Sequence, residues 1–255
     1  MLGTADCNAN CPECAGRKHR NRCSPRDGTL WPLGIMELLM SAHGNGCRRV
    51  VLTGAGEPTL SPIDVHIALM VINTLREDGL RFDQVKLYTN GLRIGLEEDF
   101  AKGRLARWRS MGLTDVSVTV YSDSERRHAE AIGVTKMPNF ADIFLPIIRT
   151  GLTARACVVL KKGYTDDTRS LLRLARRLQR LGVSELSAWP LKDLDGQVSP
   201  LAPSDEMIAE MQERLASRAW QDALPDIRVK IRPGCNQPGA SGLLILPDGE
   251  LTDIW

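Results

Sequence analysis

The feature that most constrains this chain is an alternation. Short apolar runs rich in β-branched residues recur along it, each followed by a stretch of helical apolar spacing that stops at a glycine. Val50–Thr53, Val85–Tyr88, Val116–Val120, Ala154–Leu160 and Leu186–Trp189 read as strands. Ile63 to about Glu77, Glu97–Met111, Phe140–Arg149 and Asp167–Arg180 read as helices, stopped at Gly79, Gly112, Gly151 and Gly182. A further helix runs from a Ser204 cap to about Trp220. Apolar strands joined through helices make a parallel sheet, because a parallel neighbour needs a long crossover. With a first strand at residues 1–6, the chain offers six strand–helix units. That falls short of the eight of a closed barrel. The expected fold class is therefore α/β, a partial (β/α)6 barrel of parallel strands, with an open doubly wound sheet as the alternative. Residues 227–255 break the rhythm, and the runs flanking Pro247-Asp248-Gly249 read as a hairpin. The expected organisation is a barrel over residues 1–200 and a C-terminal helix and β-hairpin extension over residues 201–255.

Composition narrows the setting. The chain has 255 residues, 43% of them apolar, and can bury a sizeable core. Lys and Arg number 33 against 31 Asp and Glu, a net charge of +2 that makes no electrostatic case for nucleic acid or a membrane surface. No window approaches the roughly 18 to 20 apolar residues of a membrane span. Asp6, Glu13, Arg17, Lys18 and Arg20 also exclude a secretory signal in the first thirty residues. Seven cysteines in a chain of this length suit a reducing, cytoplasmic compartment, with some thiols available for metal.

The strongest chemical signal is Cys7-Asn-Ala-Asn-Cys11-Pro-Glu-Cys14, which puts three soft ligands on one short loop after the first expected strand. Such a set suits zinc or an iron–sulfur cluster. A structural zinc needs a closed fourth position, which Cys23 or His19 would supply. A cubane held by three cysteines leaves one iron open for a ligand. The intervals of three and two are unlike the paired knuckles of most zinc ribbons. The second signal, Thr53-Gly54-Ala55-Gly56-Glu57-Pro58-Thr59, lies at the C-terminal end of the next strand. Two glycines permit close backbone approach to a ligand, and a carboxylate beside them accepts from an ammonium group.

Together these segments resemble the radical S-adenosylmethionine (SAM) superfamily, marked by Cys-x3-Cys-x2-Cys after the first strand and a Gly-Gly-Glu-Pro-like segment after the second. Thr89-Asn90-Gly91 after the third strand is similar to the family's pattern too. The position before the third cysteine, aromatic or apolar in the family, is Glu13 here. The resemblance implies a [4Fe–4S] cluster on Cys7, Cys11 and Cys14, with SAM on its open iron. Gly54, Ala55, Gly56, Glu57 and Pro58 would meet the methionine end of SAM, Glu57 receiving the ammonium. Asn90, Thr119 and Arg155 are further candidates, Thr119 as a hydroxyl near SAM and Arg155 as a base facing its carboxylate. The implied activity is reductive cleavage of SAM to a 5′-deoxyadenosyl radical that abstracts hydrogen from a small metabolite or peptide. A flavodoxin or ferredoxin would be the reductant, and neither nucleic acid nor membrane is an expected partner. The other classes weighed are a zinc-stabilised α/β binding protein and a non-catalytic partner subunit.

Softer features complete the reading. Thr119 also reads as an ordinary strand residue, and a basic Arg155 between Ala154 and Ala156 needs either a buried anionic partner or the barrel rim. Lys161 and Lys162 end the strand of Arg155 and read as a solvated loop, with an acidic substrate as the alternative partner, and Cys157 reads as a core thiol. His128 reads as a surface helical residue, although His128–Gly133 is similar to a His-x4-Gly segment of peptide-modifying and molybdenum-cofactor relatives. Arg232–Gly239 with the hairpin resembles part of a cysteine-rich C-terminal extension, either degenerate or cut short. Its Cys235 reads chiefly as a turn residue, with hydrogen donation to a substrate radical as the catalytic alternative.

Overall fold

Six strands lie in one sheet in chain order and every neighbouring pair is parallel: β1 Arg49–Leu52, β2 Gln84–Thr89, β3 Asp115–Val120, β4 Thr153–Leu160, β5 Glu185–Pro190 and β6 Arg228–Ile231. They come from a computed structural model that describes residues 5–14, 16, 17, 19, 27–232, 243–245 and 251–253. The sheet stays open, with β1 and β6 as its edges, so the expected partial barrel stands. Its membership differs from the expectation at both ends. Ala5 and Asp6 are not in a strand, and residues 1–4 lie outside the described residues. The sixth strand is Arg228–Ile231, read from sequence as part of the extension but in parallel register with β5.

The helices are α1 Pro32–Gly44, α2 Pro62–Glu77, α3 Leu92–Leu96, α4 Leu105–Ser110, α5 Glu125–Ile132, α6 Phe140–Arg149, α7 Thr168–Arg180, α8 Asp205–Ala216 and α9 Arg218–Ala223. The sequence reading missed α1, whose apolar face is poorly segregated. It also read one helix over 97–111, where a π-turn at Phe100–Arg104 precedes α4. The Ser204 cap is as expected, its Oγ accepting from Met207 N–H at 3.3 Å. Beyond the sheet, β7 Leu243–Ile245 and β8 Leu251–Asp253 form the expected antiparallel hairpin.

Strand alternation separates two environments. On β4, Ala154, Ala156, Val158 and Leu160 are buried in the main core with Phe140, Phe144, Ile147, Leu171 and Leu174 of α6 and α7. The intervening Arg155, Cys157 and Val159 occupy the opposite face. Register aligns Ser117, Arg155 and Glu185 across β3, β4 and β5, and Thr119, Cys157 and Ser187 in the row above. One face of the sheet is thus hydrocarbon against helices. The other is a polar lumen, lined in part by Ser117, Arg155, Glu185 and Thr119.

Candidate active site

The cysteine loop lies across the C-terminal ends of the strands because separate segments hold it there. Glu57 N–H, after β1, donates to Asp6 O at 2.7 Å, and Asn10 N–H donates to Ile132 O at the end of α5 at 2.9 Å. Asn90 Nδ2, just past β2, donates to Asn8 Oδ1 at 2.7 Å and lies 3.9 Å from Cys7 Sγ. Past β4, Lys161 Nζ reaches Glu13 Oε2 at 2.8 Å. Arg17 folds back on its own loop, donating to Pro12 O at 3.1 Å and Cys11 O at 2.9 Å. Two glycines make the approach possible. A Cβ on Gly56 would sit 2.0 Å from Asp6 O, and one on Gly133 would sit 2.4 Å from Asn10 O. This gives His128–Gly133 a physical meaning: its glycine lets the cysteine loop rest on the end of α5.

Glu57 does something other than expected. It is 2% exposed, and its Oε1 accepts from Thr59 N–H (3.0 Å), Thr59 Oγ1 (2.8 Å) and Thr89 Oγ1 (2.6 Å). Its Oε2 accepts from Asn90 N–H at 2.7 Å. Burial pushes the carboxyl up from its ordinary range, while those four donors pull it down. The carboxylate is engaged inside the protein, fastening the loop after β1 to the end of β2. In this arrangement Glu57 serves the backbone around it, its four donors all belonging to Thr59, Thr89 and Asn90.

Arg155 lies near the N-terminal end of its strand, opposite the end that the cysteine loop crosses. It is the third residue of β4, with Asp115 Oδ1 as an ion-pair partner and Glu185 Oε2 as another at 2.8 Å. Six residues separate it from Lys161, about 20 Å of strand. Thr119 is half-buried on the lumen face in register with Cys157. Cys157 belongs to that polar face and not to the apolar core, and burial pushes its thiol up to about 11. Lys161, read as solvated, is buried beside the cysteine loop. His128, read as a surface residue, is fully buried. Cys235 and Cys23 lie outside the described residues.

Sequence reasoning missed Tyr121, which follows β3. It is buried, stacks on His128 with ring centres 6.1 Å apart, and groups with Cys11, Leu92 and Ile132. Burial, then the charges of Cys11, Glu13 and Cys14, hold its phenol well above the ordinary value. The signal was present in the sequence, since continued alternation puts residue 121 on the lumen face after Ser117 and Thr119.

The model of the radical SAM superfamily matches residues 1–174, well over half the chain. This chain belongs to the radical SAM superfamily. No curated protein sequence matches it. Among solved structures it is similar in fold to Streptococcus suis SuiB, at 15% identity and a TM-score of 0.66, over 91% of this chain and 48% of SuiB. A radical SAM methyltransferase from Sphaerobacter thermophilus gives 18%, 0.62, 91% and 64%. The anSMEcpe enzyme with bound AdoMet and Kp18Cys peptide gives 14%, 0.67, 100% and 72%. The chain thus spans about half the length of SuiB and under two thirds of the methyltransferase.

Radical SAM enzymes use a [4Fe–4S] cluster and SAM, and the donor set here fits a cluster. Burial and the neighbouring Cys14 and Cys7 push the Cys11 thiol up to about 12. Three thiolates crowded on one turn need a cationic centre among them before all can ionise. Among the described residues, no three Cys, His, Asp or Glu side chains gather around a single-ion centre. No helix among them is long and apolar enough to cross a membrane.

Proposed function

We propose that this chain is a radical SAM enzyme acting on a peptide or small metabolite at the C-terminal mouth of its open barrel. Cys7, Cys11 and Cys14 hold the cluster, and the backbone of Gly54–Pro58 lines the methionine side of SAM with Asn90 and Thr119 nearby. When bound, the cluster would supply, from the reductant, the electron for reductive cleavage of SAM and so give the site its hydrogen-abstracting chemistry. Glu57 contributes by fixing the Gly54–Pro58 backbone against β2. Tyr121, with His128 behind it, walls the site beside Cys11 and keeps water from it. A small electron-transfer protein of the flavodoxin or ferredoxin class is the reductant.

The observation that carries this reading is the cysteine loop held against the ends of β1, β2 and β4, above a polar lumen. The peptide complexes of SuiB and anSMEcpe support a peptide as substrate. The test is anaerobic: reconstitute with iron and sulfide, add SAM and dithionite, and measure 5′-deoxyadenosine by mass spectrometry. Product from the wild type and none from Cys11→Ala is expected. No product from an iron-loaded wild type overturns the reading.

A further inference from the structure

Glu13 stands where the superfamily pattern has an aromatic or apolar residue, and the fold supplies a matching cation. Lys161 is 8% exposed, and its Nζ donates to Glu13 Oε2 at 2.8 Å across 148 positions of chain. The lysine is built into a packed turn. Its N–H donates to Thr165 O at 3.2 Å, its carbonyl accepts from Tyr164 N–H at 3.0 Å, and its Nζ lies 5.2 Å from the Tyr164 ring centre. Thr165 Oγ1 in turn donates to Tyr121 O at 2.9 Å, so the turn is fixed to the residue walling Cys11.

The contact falls where the loop needs one. Asn8–Asn90 and Asn10–Ile132 fix the first half of the loop. Arg17 secures Cys11 and Pro12 only to the loop itself. From the second half, Gly16 packs against the Ala55 backbone after β1, and Glu13 makes a side-chain link to Lys161 at the end of β4. A half-buried carboxylate is tolerable only with a partner, and a lysine buried at a strand end is under the same demand. Neither residue is accounted for without the other.

We propose that Lys161 is a positioning residue for the cysteine loop: acting through Glu13, it fixes the turn that carries Cys14, by charge pairing where an apolar residue would do so by packing. The inference rests on the reading of this loop as the cofactor loop, and its test is chosen to stand without that reading. The apoprotein is alkylated with limiting iodoacetamide, and the rate at each cysteine is read by peptide mass spectrometry. The variants are Lys161→Met, Glu13→Gln and the reversed pair Glu13→Lys with Lys161→Glu.

Positioning predicts that both single variants speed alkylation of Cys14, each by about fivefold or more, and that the reversed pair returns the rate to within about twofold of wild type. Electrostatics alone predicts opposite shifts, because losing a cation disfavours the thiolate and losing an anion favours it. Opposite shifts, unchanged rates, or a reversed pair as fast as the singles would each overturn the proposal. Far-ultraviolet circular dichroism of each variant reports global unfolding. If Lys161→Met unfolds by that measure, the milder Glu13→Gln and the reversed pair decide. The reconstituted holoenzyme gives a second readout: iron retained against a chelator falls in the singles and recovers in the reversed pair. Failure of the wild type to make 5′-deoxyadenosine would refute the functional reading and leave the labelling result intact.

Discussion

His128 ties the proton concentration to the stability of the wall beside the cysteine loop. It is fully buried, its Nδ1 accepts from Tyr121 N–H at 3.2 Å, and burial lowers its pKa from 6.5 to about 4 against the opposing charge of Glu125. A folded pKa below the unfolded one means that the unfolded chain binds the proton more readily. The contribution is therefore present above about pH 6.5 and is lost as pH falls toward 4. At about 1.36 kcal/mol for each pH unit between the two values, passing from pH 7 to 5 removes about 2 kcal/mol and reaching pH 4 removes about 3 kcal/mol. Protonation also takes away the acceptor for Tyr121 N–H. His128→Gln keeps a carbonyl acceptor in reach and removes the titration. Urea unfolding of the apoprotein at pH 7, 6 and 5, followed by circular dichroism, reads the difference. The wild type should lose about 2 kcal/mol more than the variant across that interval. Superimposable pH dependences for the two proteins would refute the reasoning.

Two further perturbations test assignments made above. Glu57→Ala orphans the amides of Thr59 and Asn90, and at about 1–3 kcal/mol for each buried unpaired group it should cost about 3–5 kcal/mol in urea unfolding. Glu57→Gln, which keeps an acceptor for the Oε1 donors, should cost about 1–2 kcal/mol, and a loss below about 1 kcal/mol from the alanine variant removes the bracing role. Arg155→Met takes the guanidinium from between Asp115 and Glu185, which keep Gln84 and Lys230 as partners, and should destabilise the fold by about 1–3 kcal/mol. The yield of 5′-deoxyadenosine per folded molecule should not change, whereas a weakened affinity for SAM would return Arg155 to the cofactor.

What the sequence made legible was whatever is written locally. The strands of the sheet announce themselves by β-branched apolar runs, and the cysteine motif by its spacing. Long-range partners are not written locally. Glu57 beside two glycines looks the same whether its carboxylate meets a ligand or, as here, Thr89 and Asn90. Arg155 was decidable in part. Its apolar neighbours required an anionic partner or the rim, and its place early in β4 pointed away from the C-terminal face. The depth of a residue in a barrel depends on strand direction, which alternation alone does not give. Lys161 drew attention in sequence only as a cation that could face an acidic substrate, because nothing near it mentions Glu13. The helix α1 and the parallel pairing of β6 escaped for a similar reason: tertiary contacts, not segregated periodicity, decide them.

The order in which those contacts arise has a consequence for the newborn chain. The cysteine motif is synthesised before every group that shapes it: Asn90, then Ile132, and later still Lys161. Until residue 161 has been made, the loop lacks at least one of these supports. In this arrangement a shaped cysteine loop is a late product of folding, because its last support belongs to the end of β4.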